Sequence, residues 1–300
     1  MKLTLGKHVV EVGNEDKVFF PADGITKGDL VRYYARVADT MLGYVEGRPV
    51  SMKRFPDGID GKRFFQKETP EHFPAWIERA TVAKEGGTVH HPVIRRGADL
   101  VYLAGQACIE PHVWPATVER LDRPDRMIFD LDPSTDDVGI VRAAARAVRA
   151  VLDDVGLPSF LMTSGSRGYH LWVPLKAEEG FDAVRAFAKG VAEAVVAGDP
   201  DSFTIRQRKE DRGDRVLIDY LRNGYAQTSV PPYSVRARPG APVATPLGWE
   251  ELSRAEPRTY GVRTLFRRLG RKRDPWRGLG RHARSLDGPR ERLADLLEAG

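Results

Sequence analysis

The chain has 300 residues, 41% hydrophobic and 30% charged, with a formal net charge of +5. That length and mix bury a full core without staples. The single cysteine, Cys108, excludes an intrachain disulfide and an intrachain cysteine–zinc cluster. No run of 18 apolar residues occurs, which excludes a membrane-spanning helix. The first residues, MKLTLGKHVVEVGNED, alternate like a strand and lack the apolar run and small-residue cleavage site of a signal peptide. A reducing cytoplasm is the expected setting, with Cys108 a buried thiol in the run LAGQACI. Arginine supplies most of the positive excess, especially after Arg206. That balance fits a polyanionic partner and fits equally an arginine-decorated surface.

The first helix starts at Thr26, where T-K-G-D has capping-box spacing with aspartate in the glutamate position. Leu30, Tyr33, Tyr34, Val37 and Met41 form its apolar face. Gly- and Pro-rich loops follow, including RFPDGIDGKRFFQKETP. His90 and His91 form no metal-ligand pattern and read as structural. From Arg126 the pattern is more regular. RMIFDLD (126–132) predicts a strand. Val138, Val141, Ala145, Val148, Leu152 and Val155 predict an amphipathic helix that Gly156 ends. SFLMT (159–163) and YHLWVPL (169–175) predict two strands joined by the turn S-G-S-R-G. Phe181, Val184, Ala188, Val191 and Val195 predict a second helix, and RVLIDYL (215–221) a fourth strand.

The order β-α-β-β-α-β is the split βαβ, or ferredoxin-like, arrangement. Each crossover joins parallel strands with another strand between them, so the first and fourth strands become neighbours. Residues i and i+2 of a strand share a face. Asp130 and Asp132 therefore project together, and Asp219 comes from the adjacent strand. An isolated D-x-D fits a strand end followed by a helix cap. Asp130 however lies inside an apolar strand, where an unpaired charge is costly, and Asp219 repeats the oddity. Two or three carboxylates on one face suit Mg²⁺ or Mn²⁺, hard cations that take oxygen ligands. Two such ions roughly 3.5–4 Å apart hold an attacking and a leaving oxygen. The turn T-S-G-S-R-G-Y-H (163–170) offers two glycines with Ser164, Ser166 and Arg167 as donors. It fits a triphosphate cradle and fits also an ordinary hairpin.

Taken together, D-L-D, S-G-S-R-G-Y-H and L-I-D-Y resemble the polymerase domain of bacterial ligase D, in the archaeo-eukaryotic primase superfamily. The resemblance includes N-E-D-K-V-F-F-P, T-K-G-D, G-R-P-V-S-M-K-R-F-P-D-G, F-F-Q-K, A-C-I-E-P-H-V-W and P-P-Y-S-V-R-A-R-P-G-A-P-V-A-T-P-L-G-W-E-E-L. These motifs run in the family's order over most of the chain. The resemblance implies an α+β fold: a ferredoxin/RRM-like split βαβ palm with an N-terminal α/β lobe packed on it. The expected organisation is one primase-polymerase domain over 1–300. Its N-terminal lobe runs to residue 122, its catalytic palm from 123 to 240 and its basic C-terminal segment from 241 to 300.

The resemblance also implies roles. Asp130, Asp132 and Asp219 would bind two catalytic ions, Mn²⁺ or Mg²⁺. Lys53, His112, Ser164, Arg167, Arg212 and Arg236 would contact the incoming nucleoside triphosphate, and His170 closes the same motif as a functional or a structural histidine. Asn14, Lys17 and Lys27 would grip the 5′-phosphate of a downstream DNA strand around a helix start. Phe64 and Phe65 would stack on template bases. The implied activity is template-directed extension at DNA gaps and ends, with ribonucleotide incorporation, in double-strand break repair. The alternatives are a primase that starts chains de novo and a non-catalytic end-binding module. Pro111 departs from the family before His112, and Arg222 sits in a variable position where it could touch nucleic acid. No K-x-D-G ligase motif occurs. Joining is therefore expected from a separate ligase in trans, with Ku at the ends, in a bacterial, nucleoid-associated setting. The basic run RTLFRRLGRKRDPWRGLGRHAR fits a nucleic-acid track and a solvated closing segment alike.

Overall fold

The computed structural model describes residues 1–299. The chain forms two compact units that do not follow chain order. Met1–Glu119, Thr228–Thr245 and Tyr260–Arg273 make the first; 120–227, 246–259 and the stretch from Asp274 onward make the second. Among the described residues no helix is long and apolar enough to cross a membrane.

The first unit opens with the hairpin β1 (Lys2–Leu5) and β2 (His8–Glu11), then the short pair β3 (Val18–Phe20) and β4 (Ile25–Thr26). Helix α1 (Lys27–Val45) starts at the predicted capping box. Asp29 N donates to Thr26 Oγ1 at 3.2 Å, and Thr26 N to Asp29 Oδ2 at 2.9 Å. These bonds satisfy donors that a helix start otherwise leaves open. The predicted apolar face is buried, and its two tyrosine hydroxyls reach carbonyls of Tyr233 and Ile109. Strand β5 (Arg48–Arg54) is the hub of a five-stranded sheet. It pairs antiparallel with β6 (Phe64–Gln66), β8 (Gly87–Ile94) and β9 (Cys108–Val113); β7 (Arg79–Lys84) pairs with β8. Helix α2 (Gly97–Gly105) packs on α1. Strand β9 runs through Pro111, which stands opposite Met52. His91 is a structural residue, its Nδ1 3.0 Å from Val50 O.

The second unit contains the split βαβ core. Strands β10 (Arg126–Pro133), β11 (Phe160–Thr163), β12 (Tyr169–Pro174) and β14 (Val216–Asp219) take the order β14-β10-β12-β11, each adjacent pair antiparallel. Helices α3 (Val138–Asp154) and α4 (Phe181–Gly198) pack on each other and on β10. Gly156, at φ +79°, ends α3. Two strands beyond expectation extend the sheet: β13 (Phe203–Thr204) beside β14 and β15 (Pro246–Leu247) beside β11. Both are two-residue edge strands, too short to leave a periodic signal.

The fourth strand is also shorter than its apolar run. Leu221 N donates to Asp219 Oδ1 at 2.8 Å and the backbone turns into a 3₁₀ segment, Leu221–Asn223. Asn223, fully buried, then closes on β10: its amide accepts from Ile128 N and donates to Ile128 O. The segment after 240 is distributed between the units rather than standing alone. Helix α5 (Leu265–Arg271) lies in the first unit, anchored by buried Leu265. In the second, Trp276 is buried with its indole N–H on Leu161 O at 3.0 Å, and helix α6 (Asp287–Ala299) packs on α4 through Leu293. Leu265 thus anchors its stretch in the first unit, and Trp276 and Leu293 anchor theirs in the second.

Candidate active site

In the second unit one rung of the sheet carries three polar side chains. Asp130 stands opposite Asp219 on β14 and opposite His170 on β12. Asp132 lies two residues on, on the same face, while Leu131 between them is fully buried. Exposure falls from 38% for the Asp132 side chain to 26% for Asp130 and 8% for Asp219.

Basic groups hold these carboxylates. His170 Nε2 lies 3.2 Å from Asp130 Oδ1. Arg222 Nε lies 3.3 Å from Asp219 Oδ2 and 3.7 Å from Asp130 Oδ2. Asp132 receives Arg167 on Oδ1 and Arg212 on Oδ2, each at 3.1 Å. Burial pushes the Asp219 carboxyl above its usual range, and the facing Asp130 charge adds to this against the opposing pull of Arg222. As the side chains stand, no three His, Cys, Asp or Glu residues among the described ones are grouped to hold a metal ion. The donor chemistry still suits a hard divalent cation. Two carboxylates face each other across adjacent strands with a third beside them, and the Asp219 pKa, raised first by burial and then by the Asp130 charge, marks a buried carboxylate whose charge a cation would offset.

Ser164 organises the turn between β11 and β12. Its Oγ accepts from Ser166 N at 3.1 Å and Gly168 N at 3.2 Å, and its own N–H bonds Gly168 O. Those two amides are thus engaged within the hairpin, while the Arg167 guanidinium donates to Asp132. Gly165 needs its glycine for φ +65°. Gly168 needs it for space, because a Cβ there would run into the Leu131 carbonyl of β10. Arg212 is nearly buried and also spans its own loop, donating to Arg206 O and Gln207 O.

The first unit gathers Lys53, His112 and Arg236 around a residue that the sequence reading passed over. Glu110 is 1% exposed. Its Oε2 takes Lys53 Nζ at 2.9 Å, His112 Nε2 at 3.2 Å and Arg236 Nε at 3.5 Å, while Oε1 accepts from Ala237 N at 2.8 Å. Burial alone would raise its pKa. The His112 bond and the Arg236 and Lys53 charges outweigh burial and hold the carboxyl well below the usual range. Burial lowers the His112 pKa, with Glu110 opposing. The signal for Glu110 was available: like Asp130, it is an acid inside an apolar run, here ACIEPHV.

Strand register separates the two phenylalanines. Phe65 stands opposite Lys53 and Phe64 opposite Arg54. Phe65 is 56% exposed and meets His112 edge-on at 5.3 Å, with Lys53 Nζ 5.8 Å from its ring centre. Phe64 lies under Arg54. Asn14, Lys17 and Lys27 converge as well. Lys17 N donates to Asn14 O and Lys27 N to Lys17 O, while Asn14 takes φ +53°. Lys27 Nζ rests on Gly13 O and Lys17 Nζ on Asp57 Oδ1. Burial first, then the Lys17 and Arg54 charges, lowers the Lys27 pKa.

Residues 26–276 match the LigD primase-polymerase domain family. Over 277 residues the chain is 38% identical to the multifunctional non-homologous end joining DNA repair protein LigD of Mycobacterium tuberculosis, covering 88% of this chain and 36% of that protein. Over 264 residues it is 30% identical to the bifunctional non-homologous end joining protein LigD of Bacillus subtilis, covering 87% of this chain and 42% of that one. The chain thus spans well under half the length of these relatives. Its structure is similar to that of the polymerase domain from Mycobacterium tuberculosis ligase D in complex with DNA, with a TM-score of 0.85 and 36% identity over 92% of this chain and 99% of that one. Sequence and fold agree: the chain belongs to the LigD primase-polymerase domain family and is a nucleotidyltransferase.

Proposed function

We propose that this chain extends a primer strand opposite a template at DNA gaps and broken ends, using Asp130, Asp132 and Asp219 to hold two divalent ions. The observation that carries the reading is the direct opposition of Asp130 and Asp219 in the sheet. Bound Mn²⁺ or Mg²⁺ would supply charge neutralisation for the attacking 3′-oxygen and the departing pyrophosphate. The chain's own residues do the rest. Within the first unit Lys53, His112 and Arg236 form a subsite for triphosphate oxygens; within the second, Ser164, Arg167, His170 and Arg212 form a nucleotide-binding set. His170 fixes the Asp130 carboxylate in its rung. Arg167 and Arg212, both on Asp132, exchange part of that contact for phosphate oxygens when nucleotide binds.

Asn14, Lys17 and Lys27 take the 5′-phosphate of the downstream strand. Two lysine ammonium groups, one with its pKa lowered by burial and by the other's charge, gain from an added anion. Phe65, the more exposed of its pair, stacks on a template base, with Phe64 bracing Arg54 beside it. Ribonucleotides are accepted beside deoxyribonucleotides, and the biological setting is end joining with Ku and a ligase activity, in the bacterial cytoplasm at the nucleoid.

A gapped duplex with a recessed primer, supplied with ribo- or deoxyribonucleotides and Mn²⁺ or Mg²⁺, tests the reading. Wild-type protein extends the primer opposite the template, and Asp130→Ala and Asp219→Ala do not. Equal extension by these variants would remove the assignment.

A further inference from the structure

Lys53, His112 and Arg236 come from β5, β9 and a loop far along the chain, and their polar atoms meet on one carboxylate. Glu110 is buried, and neither it nor the Ala237 amide it accepts from belongs to the proposed triphosphate contacts. A negative charge beside an anion subsite weakens anion binding by simple Coulomb attraction and repulsion. Its retention at the centre of three cationic or proton-bearing groups therefore calls for an offsetting role. Long side chains such as lysine and arginine lose much rotamer entropy when a ligand fixes them. A carboxylate that already holds both side chains removes most of that cost from the binding step. The same carboxylate receives His112 Nε2 and, through Oε1, anchors the backbone just after Arg236, so it sets ring orientation and loop position together.

We propose that Glu110 is the positioning residue of the triphosphate subsite, pre-setting Lys53, His112 and Arg236 for the phosphate oxygens. The inference rests on the assignment of those three residues to nucleotide binding. Phe65, edge-on to His112 and close to Lys53, belongs to the same packed group, so the subsite and the template-stacking ring are set by one scaffold.

The two effects of Glu110 have opposite signs, which makes the test decisive. ATP and inorganic tripolyphosphate are titrated into wild type, Glu110→Gln, Glu110→Asp, Lys53→Ala and Arg236→Ala, each checked for folding by circular dichroism and for gapped-duplex affinity. Positioning predicts that Glu110→Gln binds both probes roughly tenfold or more weakly, although it removes a negative charge. Glu110→Asp also binds more weakly, because it keeps the charge but withdraws the oxygens by one methylene. Glu110→Gln binding as tightly as wild type or tighter, while Lys53→Ala and Arg236→Ala bind weakly, would overturn the positioning role and leave the subsite standing. So would wild-type affinity in Glu110→Asp, which is the deciding variant should Glu110→Gln not fold. Unchanged affinity in Lys53→Ala and Arg236→Ala would overturn the subsite assignment and this inference with it.

Discussion

Asp130 and Asp219 stand directly opposite each other across β10 and β14, so two carboxylates share one rung of the sheet core. The consequence is a stability cost at neutral pH. Burial and Asp130 raise the Asp219 pKa in the folded state. An acid with a raised folded pKa contributes stability that is full below its unfolded pKa and is lost as pH rises through the folded value. Without divalent ions, Asp219→Asn should therefore melt above wild type at pH 7.5, by roughly 1 kcal/mol or about 2–4 °C. The difference should shrink toward pH 4. A lower melting temperature in EDTA would show that Arg222 gains more from Asp219 than burial takes away.

Lys17 and Lys27 give a prediction about DNA ends. A gapped duplex with a 5′-phosphate on the downstream strand should bind about tenfold more tightly than its 5′-hydroxyl counterpart at low salt. Lys17→Ala/Lys27→Ala should bind both equally. Fluorescence anisotropy with the two duplexes reads this out, and equal wild-type affinities would remove the pocket.

Two glycines should respond in opposite directions to the same substitution. At Gly168 a Cβ meets the Leu131 carbonyl, which cannot move without parting β10 from β12. Gly168→Ala should cost about 3 kcal/mol or leave the protein insoluble. At Gly43, an exposed position inside α1, a Cβ meets nothing. Gly43→Ala should add about 0.5–1 kcal/mol. Denaturant unfolding of the two variants checks both signs.

Cys108 should be chemically silent in the native protein. Burial pushes its thiol up to about 12, so at pH 8 only about one molecule in ten thousand carries the reactive thiolate. A disulfide reagent such as DTNB should report no fast thiol until guanidinium is added, and then one per chain. Rapid labelling of the native state would contradict the burial of β9.

Much of the second unit is legible in the sequence. Helices α3 and α4 and the four core strands announce themselves through local periodicity, because a 3.6-residue or 2-residue repeat of apolar side chains is written within one element. The alternation of Asp130, Leu131 and Asp132 is likewise a strand-local property, and the β-α-β-β-α-β order by itself places Asp219 beside them. The capping box at Thr26 needs only four residues to form.

Tertiary structure alone decided which partners those side chains meet. That Arg222 reaches Asp130 and Asp219, and that Arg167 and Arg212 share Asp132, depends on strand register and on loops whose conformation no local repeat encodes. The turn's two glycines fit an anion cradle and an ordinary hairpin alike, and only the fold shows that the missing Cβ of Gly168 makes room for the β10 backbone. The stretch after 240 looked like one basic segment, yet Leu265, Trp276 and Leu293 distribute it between two units. Glu110 shows the difference most clearly. Its acid-in-an-apolar-run signal is local, but its meaning comes from Lys53 and Arg236, distant residues that only the folded chain brings to one carboxylate. Local sequence determines which element a residue joins, because backbone propensity and side-chain periodicity act over a few residues. Partner choice is settled by packing of elements remote in sequence, where burial makes every unpaired charge too costly to leave alone.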